Sequence, residues 1–336
     1  MLMATALLST GAMPGSGFNQ SVLSPAGVQA WSIEHLWSLM LWTSTGVFTL
    51  VLIALFLAIV RGRRHHSRDE GSSTSEGSSE GALRRGVASA VGLTVAILLV
   101  LLFASIWTGR AVGALQASSA VSIEVTGHQW WWEIHYEDAV PSERVITANE
   151  FHIPVGQPVV LKVTSRDVIH SLWIPNLQGK RDLIPGYTTA TWIEADHPGV
   201  FRGQCAEFCG IQHAHMALTV VAEPEAAFTQ WLAAMRAPAR GTSDPSLVRG
   251  RDVFMQARCA GCHTIRGTDA GGQVAPDLTH IGSRRTLGAA TIPNTPEQLA
   301  SWIRDPQHVK PGNQMPPNPL AEPDVQALVA YLGTLQ

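Results

Sequence analysis

Residues 205–216 read CAEFCGIQHAHM and place two cysteines, two histidines and a methionine within twelve positions. The cysteines are separated by three residues, not by the two of a Cys-x-x-Cys zinc ribbon. Thiolate and thioether ligands select copper, and imidazole also suits this metal. A mononuclear blue-copper site needs one cysteine, so two thiolates favour a pair of bridged copper ions, with a further histidine supplied from elsewhere in the chain.

The sequence around this cluster favours an all-β domain between residues 121 and 223. Short strand-like runs follow one another there, among them VSIEVT, WWWEIHY, RVITANEFHIPV, PVVLKVTS, TATWIEA and LTVVAE. Turn residues such as PVGQP, IPGY and DHPG separate these runs, a pattern typical of a sandwich or small barrel. A strand-like run in the same domain, DVIHSLWIPN, contains His170, which is the candidate for the second imidazole ligand.

A second cysteine pair lies in CAGCH, residues 259–263, which has the spacing of a c-type haem attachment site. Cys259 and Cys262 would hold the porphyrin as thioethers while His263 reaches the iron. Met315, in GNQMPPNP, is the only methionine after His263 and favours a His/Met-ligated haem, which suits electron transfer. The alternative sixth ligands are His280, His308 and Lys310. A redox dithiol or a zinc half-site remains the other interpretation of CAGCH, and each cysteine pair could also form a local disulfide.

Two apolar runs, 36–60 and 86–109, contain no charged residue and are long enough to cross a bilayer. The loop 61–85 between them is rich in arginine, so we expect it to be cytoplasmic and the later domains to lie outside. The predicted segments are an N-terminal part (1–30) that permits a cleaved signal peptide, the helical hairpin (31–110), a β domain (119–223), a helix and linker (224–246) and an all-α domain (247–336). Formal net charge is −3, which does not suggest a nucleic-acid-binding protein.

His170 in its D-V-x-H-S run, followed by C-x-E-x-C-G-x-x-H-x-x-M, resembles the binuclear CuA domain of cytochrome c oxidase subunit II. The resemblance implies six copper ligands: the side chains of His170, Cys205, Cys209, His213 and Met216, and the backbone carbonyl of Glu207. It also implies that the Glu207 carboxylate contacts a magnesium ion shared with the catalytic subunit. Trp130, in GHQWWWEIHY, corresponds in this resemblance to the residue through which electrons enter.

The last ninety residues resemble a class I cytochrome c, in which the carbonyl of Pro276 would orient the haem histidine. Together the two resemblances suggest the fused subunit II of caa-type oxidases. They imply a multidomain membrane protein with a two-helix transmembrane hairpin, an all-β cupredoxin-like sandwich and an all-α cytochrome c domain.

Such a chain would sit in a bacterial plasma membrane with its copper and haem domains on the periplasmic side. It would accept electrons from an external cytochrome c or an upstream respiratory complex through haem c. It would pass them through CuA to haem-copper subunit I, among other oxidase subunits, with coupled proton translocation. A nitric oxide reductase of the CuA type and a membrane-anchored electron carrier without a catalytic partner are the alternatives. The roles of Glu80 and Asp182 stay open.

Overall fold

The computed structural model describes residues 20–66, 76–114, 121–140 and 143–336. The apolar N-terminal run MLMATALLSTGAMPG, which permits a signal peptide, lies outside the described residues. Trp31–Ala114 forms one unit, and the rest of the described chain forms the other.

Two long helices, α1 (Val28–His66) and α2 (Glu76–Gly113), make up most of the first unit. Both are long and apolar enough to cross a membrane. Their large apolar side chains are exposed along the length of each helix, for example Phe56 and Phe103. Side chains of this kind are stable in lipid rather than in water, so the helices fit a membrane-anchored protein. Both helices extend beyond the apolar runs, because residues 61–66 and 76–85 are also helical.

The β domain is a sandwich of two five-stranded sheets, one of the two architectures that its short, turn-separated strand-like runs predict. One sheet has the order β3-β2-β1-β5-β8 and the other β4-β10-β9-β6-β7. The strands are β1 (Val121–His128), β2 (Trp131–Tyr136), β3 (Val145–Ala148), β4 (Glu150–Pro154), β5 (Val159–Ser165), β6 (His170–Trp173), β7 (Arg181–Leu183), β8 (Thr189–Ile193), β9 (Gly199–Cys205) and β10 (Ala217–Glu223). Buried residues of both inner faces, including Ile123, Trp132, Phe151 and Phe201, form one core.

The C-terminal domain is mainly helical. Its helices are α4 (Pro245–Gln256), α5 (Pro296–Arg304), α6 (Pro306–Val309) and α7 (Glu322–Gly333), and α3 (Glu225–Arg236) precedes it after the sandwich. A pair of two-residue strands, β11 (Thr286–Leu287) and β12 (Ile292–Pro293), interrupts the helical pattern. Helices α4, α5 and α7 pack around a separate core that includes Phe254, Ile303 and Leu328. The two-helix, cupredoxin-like and cytochrome-like parts together confirm the predicted fold class.

Candidate metal centres

The first candidate centre lies where strands β6, β9 and β10 meet. Cys205 ends β9, and Leu172 of β6 pairs with it. Because side chains alternate along a strand, His170 lies on the same face of β6 as Leu172. The cysteine- and histidine-rich stretch is the connection between β9 and β10, and it is closed by a 2.8 Å hydrogen bond from the Cys205 amide to the Met216 carbonyl. Two strands and one short loop thus bring the predicted ligands together.

The ligand atoms form a continuous chain of close contacts. Cys205 Sγ lies 3.8 Å from His170 Nδ1, 3.8 Å from Cys209 Sγ and 3.2 Å from the Glu207 carbonyl oxygen. Cys209 Sγ in turn lies 3.6 Å from His213 Nδ1 and 3.8 Å from Met216 Sδ. A sulfur–sulfur separation of 3.8 Å excludes a disulfide between the two cysteines, since a disulfide bond is about 2 Å long.

The two thiols are poised to exchange protons for metal. A hydrogen bond from Cys209 lowers the pKa of Cys205 to about 3, and the same contact together with burial raises the pKa of Cys209. Metal ions bind thiolates, so metal binding at this pair would release protons from the cysteines. Two thiolates, two imidazoles, a thioether and a carbonyl are the donor set that copper accepts, so these residues fit a two-copper centre.

His170 is held in a fixed orientation from its far side. Its Nε2–H donates to Asp167 Oδ1 at 2.8 Å, which leaves Nδ1 facing the sulfur atoms. Burial raises the pKa of Asp167, but hydrogen bonds from His170 and two backbone amides outweigh it, so the pKa is below its ordinary value. On the other side, a Cβ at Gly127 would lie 2.7 Å from His170 Cδ2, so only glycine leaves room for the ring. A carboxylate behind a histidine is the usual support of a metal ligand.

Trp130 directly contacts residues 206–216, which connect β9 to β10 and are called the copper loop below. Its indole Nε1 donates to the Cys209 carbonyl at 2.9 Å, and Gln129 Nε2 donates to the same oxygen at 2.7 Å. Gly210 has a φ of 118°, and a Cβ at this position would lie 2.9 Å from Trp130 Cζ2. A side chain at position 210 would therefore collide with the indole, so this close approach requires glycine.

The second candidate centre is a cavity in the cytochrome domain with an empty volume of about 1380 Å³, including its mouth. Cys259, Cys262, His263 and Met315 all line it. The turn 259–261 follows α4 and places both thiols at the cavity wall. The cavity is also lined by residues of the sandwich, namely Gln129, Trp130, Trp131 and Asn149.

The polar groups around this cavity suit an anionic porphyrin. His263 Nδ1 donates to the Pro276 carbonyl at 2.7 Å, which directs Nε2 away from that loop and leaves it available to an iron atom. Arg284 is buried in the wall, and its Nε has no hydrogen-bond partner among the described residues. A buried guanidinium without a full set of acceptors is costly unless an anion pairs with it. The carboxylates that a haem carries would satisfy it, so the cavity fits a haem.

The alternative sixth ligands of the haem either lie outside the cavity or donate hydrogen bonds to backbone carbonyls. His280 Nε2 lies 3.1 Å from each of the Met235 and Ala237 carbonyls, outside the cavity. His308 is exposed on α6. Lys310 lines the cavity, but its Nζ donates to two backbone carbonyls. The thioether of Met315 is the one in the cavity wall, and its backbone is fixed by hydrogen bonds with Asn313 and Gln307.

The other side chains singled out by sequence lie outside both centres. His215 is exposed and bonds Gln212. The Glu207 carboxylate is exposed although its carbonyl faces the sulfur atoms. Asp182 is exposed on β7, and Glu80 lies in α2. Sequence reasoning did not identify Asp167 or Arg284, because neither belongs to a ligand motif. The DVIHS run does contain Asp167, which was a signal available from sequence.

Comparison with known proteins bears on the same two domains. The family model for the periplasmic domain of cytochrome c oxidase subunit II matches residues 121–223, and the cytochrome c model matches residues 247–336. Cytochrome c oxidase subunit 2 of Alkalihalophilus pseudofirmus is 36% identical over 327 residues, covering 95% of this chain and 91% of that protein. Its counterpart in Bacillus sp. strain PS3 is 31% identical over 263 residues, covering 73% and 72%.

A solved structure also matches part of the chain. The crystal structure of the periplasmic domain of subunit II of cytochrome oxidase (CoxB) of Bradyrhizobium japonicum has 29% sequence identity and a TM-score of 0.34. The match covers 36% of this chain and 97% of that one.

The fold and the two centres define a class: a membrane-anchored electron-transfer subunit with a copper-binding sandwich and a haem-binding cytochrome domain. Within this class, the chain belongs to the cytochrome c oxidase subunit 2 family. It is therefore part of a haem-copper oxidase, an oxidoreductase, and works in a complex with other oxidase subunits.

Proposed function

We propose that this chain accepts electrons at its cytochrome domain and delivers them through its copper site to the catalytic haem-copper subunit I. An external cytochrome c or an upstream respiratory complex would supply the electrons. In the partner subunit, four electrons and four protons convert O₂ to two molecules of water, with coupled proton translocation. A covalent haem c and a CuA centre would supply the one-electron carriers within this chain. With both groups bound, each electron given up by the haem would be taken up by the copper pair, so the transfer would consume no other reactant.

The position of Trp130 is the observation that carries this proposal. The residue lines the haem cavity, and its indole Nε1 donates to the carbonyl of Cys209 at 2.9 Å. One side chain therefore contacts both candidate centres. This indole and one hydrogen bond would connect the haem cavity to Cys209, a candidate copper ligand. The sandwich and the cytochrome domain hold this contact without a separate docking partner, and a tethered donor has a high effective concentration.

We assign the haem ligands on the same basis. Cys259 and Cys262 would hold the haem through thioether bonds, and His263 and Met315 would supply ligands to its iron. Support comes from the location of all four residues in one cavity wall and from the Pro276 carbonyl behind His263. A His/Met pair raises the haem potential, which suits a carrier that gives electrons to copper.

For the copper pair we assign six ligands, among which the two cysteines would supply thiolates. The ligands are His170, Cys205, Glu207 through its carbonyl, Cys209, His213 and Met216. The contacts of 3.2 to 3.8 Å among these atoms support the assignment. A set of this kind, held at the ends of stiff strands, changes little in geometry when an electron arrives.

The placement in the cell and the contacts with partners form the outer part of the proposal. Arginines in residues 61–85, between the two apolar runs, favour a cytoplasmic location for this stretch, which puts both metal domains on the periplasmic side of a bacterial plasma membrane. The exposed carboxylate of Glu207 is available to a magnesium ion at the boundary with subunit I. Metal analysis of the assembled oxidase, with Glu207→Gln compared with the unsubstituted chain, tests this last assignment through loss of bound magnesium.

Rapid photoreduction of the haem in the assembled oxidase tests the electron route. We expect electrons to move from haem to copper in a fast phase that Trp130→Leu slows severalfold, while the absorption spectra of both centres stay unchanged. Trp131→Leu is the matched control, since this indole lines the same cavity but stacks on His128 at 4.2 Å. Equal rates in the two variants would remove Trp130 from the route.

A further inference from the structure

One buried lysine joins the sandwich to the cytochrome domain. Lys310 Nζ donates to the Trp130 carbonyl at 2.7 Å and to the Gly288 carbonyl at 2.9 Å. The first acceptor belongs to the sandwich, and the second belongs to the cytochrome domain. Lys310 is only 2% exposed. A single ammonium group thus connects the backbone of both domains at the edge of the haem cavity.

The residues that follow Lys310 contact the copper loop. Gln212 Nε2 donates to the Pro311 carbonyl at 2.7 Å. Gly312 lies against Ile211 so closely that a Cβ at Gly312 would be 2.3 Å from Ile211 Cδ1. The same segment leads within three residues to Met315. The segment that carries the candidate haem ligand Met315 is therefore fixed against the segment that carries the candidate copper ligands.

Two backbone amides also cross the boundary between the domains. The Ala217 amide donates to the Ala289 carbonyl at 3.1 Å. The Arg285 amide donates to Glu150 Oε2 at 3.0 Å. Both amides are protected from solvent by a partner in the other domain, so their hydrogen exchange reports whether the domains are docked.

The chemistry of Lys310 is unusual for a structural contact. It has no carboxylate within ion-pair distance in the described part of the chain. Burial lowers its pKa to about 7. Placing an ammonium group in such a site is unfavourable unless its hydrogen bonds are needed there. An apolar side chain of similar length would fill the same space but would leave both carbonyls unpaired.

We propose that Lys310 is a positioning residue that locks the cytochrome domain onto the copper loop in a single arrangement. The lock keeps Trp130 between the haem cavity and Cys209, and so fixes the distance that electrons travel. This inference rests on the electron route proposed above. It adds a determinant of rate that lies outside both ligand sets.

Hydrogen–deuterium exchange on the full chain in the assembled, metal-loaded oxidase tests the lock. In Lys310→Met, the Ala217 and Arg285 amides should exchange at least about fivefold faster, which corresponds to the loss of one ordinary hydrogen bond. The Cys205 amide, whose acceptor lies in its own domain, should keep its rate. The matched control is Lys162→Met, because this exposed lysine pairs with Glu137 within the sandwich.

A kinetic readout accompanies the exchange data. After photoreduction of the haem, Lys310→Met should lose amplitude in the fast haem-to-copper phase, while reduction of the haem by an external donor keeps its rate. Should Lys310→Met fail to assemble, Gln212→Ala weakens the same contact from the sandwich side and should produce the same pattern at the same two amides.

Three results would overturn the inference. Unchanged exchange at Ala217 and Arg285 would show that Lys310 does not hold the domains together. Faster exchange that extends equally to the Cys205 amide would show a general loss of fold. Faster exchange at the two boundary amides with an unchanged fast phase would show docking without control of the rate. If the unsubstituted oxidase itself lacks a haem-to-copper phase, the proposed route fails instead, whatever the exchange data show.

Discussion

Replacing Asp167 by asparagine tests whether the copper ligands depend on an outer carboxylate. Asp167 Oδ1 accepts from His170 Nε2 at 2.8 Å and from the Val168 amide at 2.7 Å, and Oδ2 accepts from the Gln129 amide at 2.6 Å. An asparagine side chain has one acceptor oxygen, and its NH₂ group cannot accept. In Asp167→Asn, His170 therefore faces either an NH₂ group or a neutral amide oxygen, and it loses its charged acceptor in both orientations.

The expected loss follows from the lost hydrogen bond. A hydrogen bond to a charged group contributes about 1.5–3 kcal/mol, and about 1.4 kcal/mol corresponds to a tenfold change in affinity. We therefore expect copper to bind about 10- to 100-fold more weakly in Asp167→Asn. Loss of the partner behind a metal-bound histidine has an effect of this size in other metal sites.

Competition with a chelator of known affinity measures this loss. The absorption of the copper site is followed on the detergent-solubilised full chain, and the haem spectrum serves as an internal check of folding. Glu133→Gln is the matched control, because Glu133 is also paired with histidines, at 3.1 Å from His128 and 3.0 Å from His135, outside the copper ligand set. Copper affinity in Asp167→Asn within about twofold of the unsubstituted chain would refute the reasoning.

Three other substitutions have defined outcomes. Burial raises the pKa of Glu133, but hydrogen bonds from two histidines outweigh this effect and lower the pKa from 4.5 to about 2. The carboxylate therefore stabilises the fold above about pH 4.5, and this contribution is lost as the pH falls towards 2. Glu133→Gln should lower the unfolding free energy by about 1 kcal/mol at neutral pH, and chemical unfolding at a series of pH values should show this gap closing in acid; a constant gap would contradict it. Met315→Leu should shift the haem absorption and lower the reduction potential, whereas Met255→Leu on α4 should not; identical spectra would exclude Met315 as a ligand. Gly210→Ala should slow electron arrival at copper, because the added Cβ would lie 2.9 Å from the Trp130 indole beside the haem cavity. Gly156→Ala is the control: Gly156 has a φ of 71° and open space around it, so this variant strains only the backbone and should keep the rate. Equal kinetics in the two glycine variants would count against the contact.

Much of the sandwich was predictable from local pattern, and the failures have physical causes. Short strand-like runs bounded by turn residues identified β1, β2, β5, β8 and β10. The run RVITANEFHIPV reads as one strand but forms β3 and β4, because Asn149 has a φ of 62° and breaks the pairing. Strand β9 contains Gly203, a residue type that disfavours strands. Glycine is needed there because a Cβ would lie within 3.0–3.1 Å of Ile174, Leu218 and the Trp173 carbonyl.

The candidate site divides in the same way. The sequence predicted the copper ligands from their residue types and spacing, and the fold does place these residues side by side. Most of them lie close together in sequence in the copper loop, and His170 lies on a strand that pairs directly with the strand before that loop. Lys310 was a candidate haem ligand by sequence, yet its ammonium group bonds backbone of both domains. Arg284 belongs to no motif, and only the structure shows that it lines the haem cavity and that its Nε has no hydrogen-bond partner among the described residues. Contacts between domains depend on how two separately folded surfaces meet, and no periodicity in the sequence encodes this.

Metal analysis combined with electron spin resonance on the loaded chain tests the central claim most directly. We expect two copper ions and one haem per chain, and a copper signal in which one unpaired electron is shared over two nuclei. That shared pattern should disappear in Cys209→Ser while the haem signal stays. A single copper ion, bound zinc or a disulfide between Cys205 and Cys209 in the native chain would contradict the account.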